Sequence, residues 1–286
     1  MKIAVSSYSF NKMIQSGEIK EIDTIRLAKE IGFDGIEFVD FYRPEEKDIL
    51  EYAKELREEA DKVGIPIVNY CVGASFARNG EDFDKEVERV KKHIDATQIF
   101  GASNMRHDAM GGAHGKGHFR SFYDCLETIA KGCRIITEYA EHKGIRTMVE
   151  NHGFICQDPD RMEALYKAVN HSNFGILADM GNFLCADCEP SYSIGKLREM
   201  VFFAHAKDFM VKDGNGADPG KGFFRSRGGN YLRGTIIGHG NVPVKQCIDI
   251  LKKAEYDGWI TIEFEGMEDT KTGLEIGLEN LRNYIS

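Results

Sequence analysis

Short apolar runs alternate with helix-period segments eight times along this 286-residue chain, and few folds accommodate that rhythm. Ile3-Ala4-Val5-Ser6 opens the series, and Ile22, Ile25, Ala28 and Ile31 follow at helical spacing with Gly32 as the stop. Gly35-Ile36-Glu37-Phe38 is the second strand. Pro44, followed by Glu45 and Glu46, then predicts the first turn of a helix carrying Ile49, Ala53, Leu56, Ala60 and Val63. Pro66 to Tyr70 and Asn104 to His107 are strands three and four, separated by a helix with Val87, Val90 and Ile94 on one face. A long helix from about Phe119 to Gly144 leads into strand five, Thr147 to Glu150. Asp158-Pro159 reads as cap and first turn of the next helix, which carries Met162, Leu165 and Val169. Strand six runs to Asp179, a short helix lies near Tyr192 to Met200, and strand seven runs to His205. Pro243 opens another helix, strand eight ends at Glu263, and a final helix carries Leu274, Leu278 and Leu281.

Most of these strands are near-continuous apolar runs, as expected of a parallel sheet covered on both faces. Eight βα units in a chain of this length predict an α/β fold, a single (β/α)8 TIM barrel over residues 1–286, since such barrels take about 250 residues. A doubly wound open sheet is the rival. It calls for a glycine-rich turn after the first strand, and Ser6-Ser7-Tyr8-Ser9-Phe10 contains no glycine.

Four consecutive runs end on a side chain that can bind a metal: Glu150, Asp179, His205 and Glu263. A single acid at a strand end is usually a helix cap or a loop anchor. Four in succession point to one site, because the C-terminal strand ends of a barrel share one mouth where activity resides. Three carboxylates and an imidazole form a hard donor set suited to one divalent ion, Mn²⁺ first, with Mg²⁺, Co²⁺ or Zn²⁺ as alternatives. Without a cation the three acids would repel one another. Glu265 lies on the same side of the strand as Glu263, but Glu263 is nearer the apolar run and better held.

A net charge of −9 argues against a nucleic-acid partner. The chain enters a strand pattern at once, with no leader architecture, and no apolar run approaches the ~20 residues of a membrane span. Seven scattered cysteines suit a reduced, cytoplasmic protein, and the CxxC at Cys185 and Cys188 is read as incidental.

The chain resembles the xylose isomerase-like TIM-barrel superfamily, in its sugar phosphate isomerase/epimerase branch. The resemblance rests on Val149-Glu150-Asn151-His152, Asp179-Met180-Gly181-Asn182-Phe183, His205-Ala206-Lys207-Asp208, Gly238-His239-Gly240 and Trp259 to Glu263, and spans effectively the whole chain. It implies one divalent metal held by Glu150, Asp179, His205 and Glu263, with both glutamates available for proton transfer. The activity implied is isomerisation or epimerisation of a sugar or keto-sugar. It begins with proton abstraction next to a carbonyl, and the metal stabilises the enediolate. A lyase, such as a keto-inositol dehydratase or a 3-keto-glycoside eliminase, starts from the same abstraction and is the alternative. The pattern departs from the related apurinic-site endonucleases: Asn182 stands where their cluster has a histidine, and no Asp-x-His pair follows strand seven. The partner implied is a small sugar or polyol, and a homo-oligomer is compatible with the chain.

Substrate contacts are expected from His107 at the end of strand four, from His152 two residues after Glu150, and from Glu37 and Tyr8 on the other half of the mouth. Lys207, two after His205, is a substrate contact or a salt-bridge partner of a ligand carboxylate. Lys212 to Gly240 is read as a long glycine-rich cap with Arg233 as its favoured contact, and the loop from Ala109 to His118 as a route for substrate access.

Overall fold

The computed structural model describes residues 1–110 and 121–286. Its strands are β1 (Lys2–Ser6), β2 (Gly35–Val39), β3 (Ile67–Val72), β4 (Asn104–His107), β5 (Arg146–Glu150), β6 (Phe174–Asp179), β7 (Val201–Ala206), β8 (Asp208–Lys212), β9 (Phe224–Arg225), β10 (Tyr231–Thr235) and β11 (Trp259–Ile262). The α-helices are α1 (Asn11–Gln15), α2 (Thr24–Ile31), α3 (Ile49–Val63), α4 (Gly80–Phe100), α5 (Phe122–Glu141), α6 (Pro159–Val169), α7 (Asn182–Cys185), α8 (Pro190–Leu197), α9 (Val244–Lys253) and α10 (Thr270–Ile285). Eight parallel strands close in the order β1-β11-β7-β6-β5-β4-β3-β2, so the (β/α)8 barrel read from the alternation is the fold.

The period-two geometry of the strands sorts the core into two parts. Met148, Leu177 and Phe203 each lie two residues before Glu150, Asp179 and His205 and share their face. With Ala4, Val68 and Cys71 they fill the barrel interior, which supports the site from below. The alternate residues, among them Val149, Ile176, Ala178 and Ala204, pack against the helical ring. Burial of this size sets both faces of each strand, and hence which side chains reach the mouth.

Three expectations need correction. The helix assigned a start at Pro44 begins at Ile49, because Asp48 is its cap: the Asp48 carboxylate accepts from the Leu50 N–H at 2.9 Å. The stretch read as a loop from Lys212 to Gly240 carries much of a second, three-stranded antiparallel sheet of order β8-β10-β9. Phe209 and Leu232 bury against Cys185 beneath it, which gives the excursion a small core of its own. The long helix placed from about Phe119 starts at Phe122, where Ser121 and Asp124 form a reciprocal capping box. Gly32 ends α2 in the left-handed region, φ 104°, as its position suggested. All seven cysteines are free thiols, and no helix among the described residues is long and apolar enough to cross a membrane.

Candidate active site

At the ends of β5 and β6 the two sequence motifs fasten to each other. The Asn151 amide donates to the Asp179 carbonyl at 3.0 Å and accepts from the Asp179 N–H at 2.8 Å, extending the ladder by one residue beyond Glu150. Asp179 Oδ1 then accepts from the N–H groups of Gly181 and Asn182, both at 2.8 Å, and so starts α7. A side chain at Gly181 would lie 2.8 Å from the Lys207 carbonyl, so only glycine allows the β6 and β7 ends this close. The consequence is chemical. Asp179 Oδ1 is committed to backbone, and buried Oδ2 has no hydrogen-bond partner among the described residues, with only the Lys207 ammonium near it at 3.4 Å.

Oδ2 faces the imidazole of His205, its direct partner in the β6–β7 register. His205 Nδ1 is likewise buried and unpartnered, and around it stand Glu263 Oε2 at 3.7 Å, Asp179 Oδ2 at 3.8 Å and Glu150 Oε1 at 3.9 Å. Ligand atoms from all four residues lie within 4.8 Å of one another. Donors bound at about 2.1 Å to one ion are separated by roughly 3–4 Å, so these residues fit a divalent cation. Two orphaned lone pairs in a buried, acid-rich setting are the observation behind that fit.

Two permanent cations share the site. Lys207 Nζ lies 2.6 Å from Glu263, 3.2 Å from Glu265 and 3.4 Å from Asp179. Arg106 Nη2 lies 2.5 Å from Glu150 Oε2 and 3.1 Å from Asp108. Asn182 donates to Glu150 Oε1 at 2.9 Å and accepts from Lys207 at 3.3 Å. Five carboxylates (Asp108, Glu150, Asp179, Glu263 and Glu265) thus face Arg106 and Lys207, which leaves room for a further dication. Burial, together with Glu150 and Glu263, lifts the Asp179 carboxyl to about 6 against the pull of Lys207. Burial would also lift Glu263, but Lys207 and His205 outweigh it and hold that carboxyl well below its ordinary range. Burial opposes charge on His205, yet Glu37, Glu263 and Glu150 hold its pKa well above that of an ordinary imidazole.

These groups open onto a cavity of about 150 Å³. Glu150, His205, Lys207, Glu263 and Glu265 line it together with Tyr8, Phe41, Cys71, Arg106, Asp108 and His152. Of the expected contacts, Lys207, Tyr8 and His152 therefore reach the cavity. His152 does so although the strand stops at Glu150; its Nδ1 is 3.3 Å from Asp108 Oδ1. Glu37, His107 and Arg233 are not on the wall. Glu37 is turned inward to His205. His107 is fully buried edge-on to Phe76, with Nδ1 against the Asp108 carbonyl, and burial depresses its pKa to about 4. Arg233 sits in β10 against Met210, 3.5 Å from Glu268. The expected access loop falls largely on residues 111–120, outside the described residues.

Sequence reasoning missed Arg106, whose signal was a cation inside an otherwise buried strand, and the roles of Asn182, which donates to the Glu150 carboxylate, and of Asn151, which holds the Asp179 backbone. Gly238-His239-Gly240 serves the scaffold: Asp208 accepts from the N–H groups of Gly238, Gly240 and Val242 at 2.9–3.0 Å.

The family described as xylose isomerase-like TIM barrel matches residues 25–284. An inosose dehydratase from Glaesserella parasuis serovar 5 (strain SH0165) is 22% identical over 271 residues, covering 89% of this chain and 85% of that protein. Among solved structures, D-psicose 3-epimerase in the presence of D-fructose superposes with a TM-score of 0.74 at 14% identity, covering 100% of this chain and 99% of its own. A xylose isomerase-like TIM barrel protein from Mycobacterium smegmatis in complex with magnesium gives a TM-score of 0.71 at 20% identity, covering 92% and 88%.

Proposed function

This chain belongs to the xylose isomerase-like TIM barrel family, and from that premise we propose a divalent-metal-dependent enzyme that moves a proton next to the carbonyl of a sugar or keto-polyol. The observation that carries the reading is the convergence of Glu150, Asp179, His205 and Glu263 on one buried point with two orphaned lone pairs. Held by these four residues, a divalent cation, Mn²⁺ by preference for this donor set, supplies Lewis-acid polarisation of the substrate carbonyl. The whole chain acts as one barrel domain, on a small neutral or polyhydroxylated substrate of the cytoplasm.

Glu150 and Glu263 are the proton-transfer pair. One takes the proton from the carbon next to the carbonyl, and the other returns it at the same carbon or its neighbour. Arg106 and Asn182 fix Glu150 by occupying its two oxygens, and Lys207 fixes Glu263. The barrel interior below and the aromatic wall of Tyr8 and Phe41 limit water around the reacting carbon. His152 and Lys207, both on the cavity lining, offer donors to substrate hydroxyls.

With two carboxylates available, isomerisation or epimerisation is the first reading. A dehydratase is the second, favoured by the inosose dehydratase among the sequence relatives; there the proton leaves with a β-hydroxyl as water. Incubation of the Mn²⁺-loaded protein with keto-sugars and keto-inositols in D₂O separates them. Deuterium incorporated with an unchanged molecular formula supports isomerisation or epimerisation. Loss of one water with a new enone absorbance supports the dehydratase. No exchange and no elimination across both substrate classes contradicts the proposal.

A further inference from the structure

Glu37 was expected at the mouth and instead lies fully buried, with no contact to the cavity. Its Oε2 is 3.0 Å from His205 Nε2, a residue 168 positions away, and accepts from Asn69 Nδ2 at 2.8 Å. An ionised carboxylate can only accept, so the hydrogen on the imidazole lies on Nε2. That leaves Nδ1 as the nitrogen available to a metal, on the side where the oxygens of Glu150, Asp179 and Glu263 stand 3.7–3.9 Å away.

We propose that Glu37, itself held by Asn69, is the positioning residue that fixes the Nε2–H tautomer and the ring orientation of His205, so that Nδ1 is presented as a metal ligand. The inference rests on the metal-site reading above and adds a residue from the opposite half of the barrel to it. Second partners of this kind raise ligand basicity and hold the ring, and losing one typically lowers metal affinity about 10–100-fold. Glu37, Cys71 and His205 also converge closely enough to suggest a second metal site. That trio would need Nε2, which is already engaged with Glu37, while Cys71 Sγ accepts from Asn69 at 3.4 Å. The cluster therefore positions the one site above it.

Mn²⁺ titration calorimetry on the full chain tests this, with Glu37→Gln and Glu37→Leu beside the wild type and folding checked by circular dichroism in chelator. Glutamine retains an acceptor but loses the charge, and leucine loses both. The expected order of affinity is wild type, then Glu37→Gln about 10–100-fold weaker, then Glu37→Leu weaker still. In Zn²⁺-loaded protein, ¹⁵N NMR should show a metal-bound Nδ1 and a protonated Nε2 on His205. Folded Glu37 variants that bind Mn²⁺ within two-fold of wild type would overturn the proposal, as would a metal-bound Nε2. If the Glu37 variants do not fold, Asn69→Ala keeps the carboxylate but frees it; it should show a smaller loss in the same direction, and unchanged affinity would overturn the proposal. A wild-type chain that binds no Mn²⁺ fails differently: it removes the metal site itself, and this inference with it.

Discussion

At the ends of β5, β6, β7 and β11 stand Glu150, Asp179, His205 and Glu263, whereas β1, β2, β3 and β4 end in Ser6, Val39, Val72 and His107. The two halves of the mouth share one repeating βα unit and one burial pattern. They differ in how far along each strand the polar residue sits. In the first half it lies within one residue of the strand's end, where the four groups gather round one buried point. In the second half Glu37 and Asn69 sit two and three residues back inside their strands and Arg106 one, and all three are spent on neighbours: Glu37 on His205, Asn69 on Glu37, and Arg106 on Glu150 and Asp108. One half presents ligands and the other fixes them. For Glu37 and Asn69 a setback of two and three residues along the strand goes with the supporting role.

The difference is broken most severely by disarming the ligand half. Glu150→Gln and Glu263→Gln should each lower kcat by about 10²–10⁴-fold, the usual range for a lost acid–base group. If both variants turn over normally with metal bound, proton transfer does not lie in this half.

The supporting half should fail in stability first. Arg106→Met leaves Glu150 and Asp108 buried without their shared cation, which should destabilise the fold by about 3–5 kcal/mol in chelator. Saturating Mn²⁺ should recover part of that loss, because the cation re-pairs Glu150. Denaturant unfolding with and without Mn²⁺ measures both; an equal loss in the two conditions would detach Arg106 from the site.

A third effect concerns the same half, away from the cavity. Burial raises the Glu21 carboxyl from the ordinary 4.5 to about 8, only partly opposed by its hydrogen bonds from Tyr52 at 2.9 Å and Ser7 at 3.3 Å. A carboxyl that holds its proton more tightly when folded contributes stability at acid pH and loses it as the pH rises from 4.5 through 8. Glu21→Gln should therefore gain stability relative to wild type across that window, by at most a few kcal/mol, and gain none below it. Parallel unfolding curves at pH 4, 6 and 8, chosen roughly to bracket the window, show whether the gap opens.

The smallest effect belongs to Arg233→Ala. With Arg233 against Met210 and Glu268 rather than on the cavity wall, kcat/KM should stay within about three-fold of wild type, as for surface changes away from a site. A larger loss would bring the β8-β10-β9 sheet into substrate binding.

The contrast between the halves also explains what could be read from the sequence. Eight apolar runs, and the four that end in ligands, are local patterns, and burial on both strand faces enforces them. Glu150, Asp179, His205 and Glu263 were legible because each breaks an apolar run at its end. Arg106 and Glu37 break theirs from within, and their partners lie 44 and 168 residues away, Glu150 and His205. No spacing rule reaches that far. The excursion after β7 was read as a loop because its glycine-rich turns mask two strands, Asp208–Lys212 and Tyr231–Thr235, that become regular only by pairing with each other. The start of α3 was misjudged because Pro44 signals a first turn while Asp48, four residues later, supplies the actual cap.

The central claim is that four strand ends hold one divalent cation. Elemental analysis of wild-type and Asp179→Ala protein, purified without chelator and reloaded with Mn²⁺, tests it most directly. The wild type should carry about one equivalent of divalent metal and the variant almost none, with both chains folded. A wild type that neither carries nor takes up metal, or an Asp179→Ala chain that keeps a full equivalent, would contradict it.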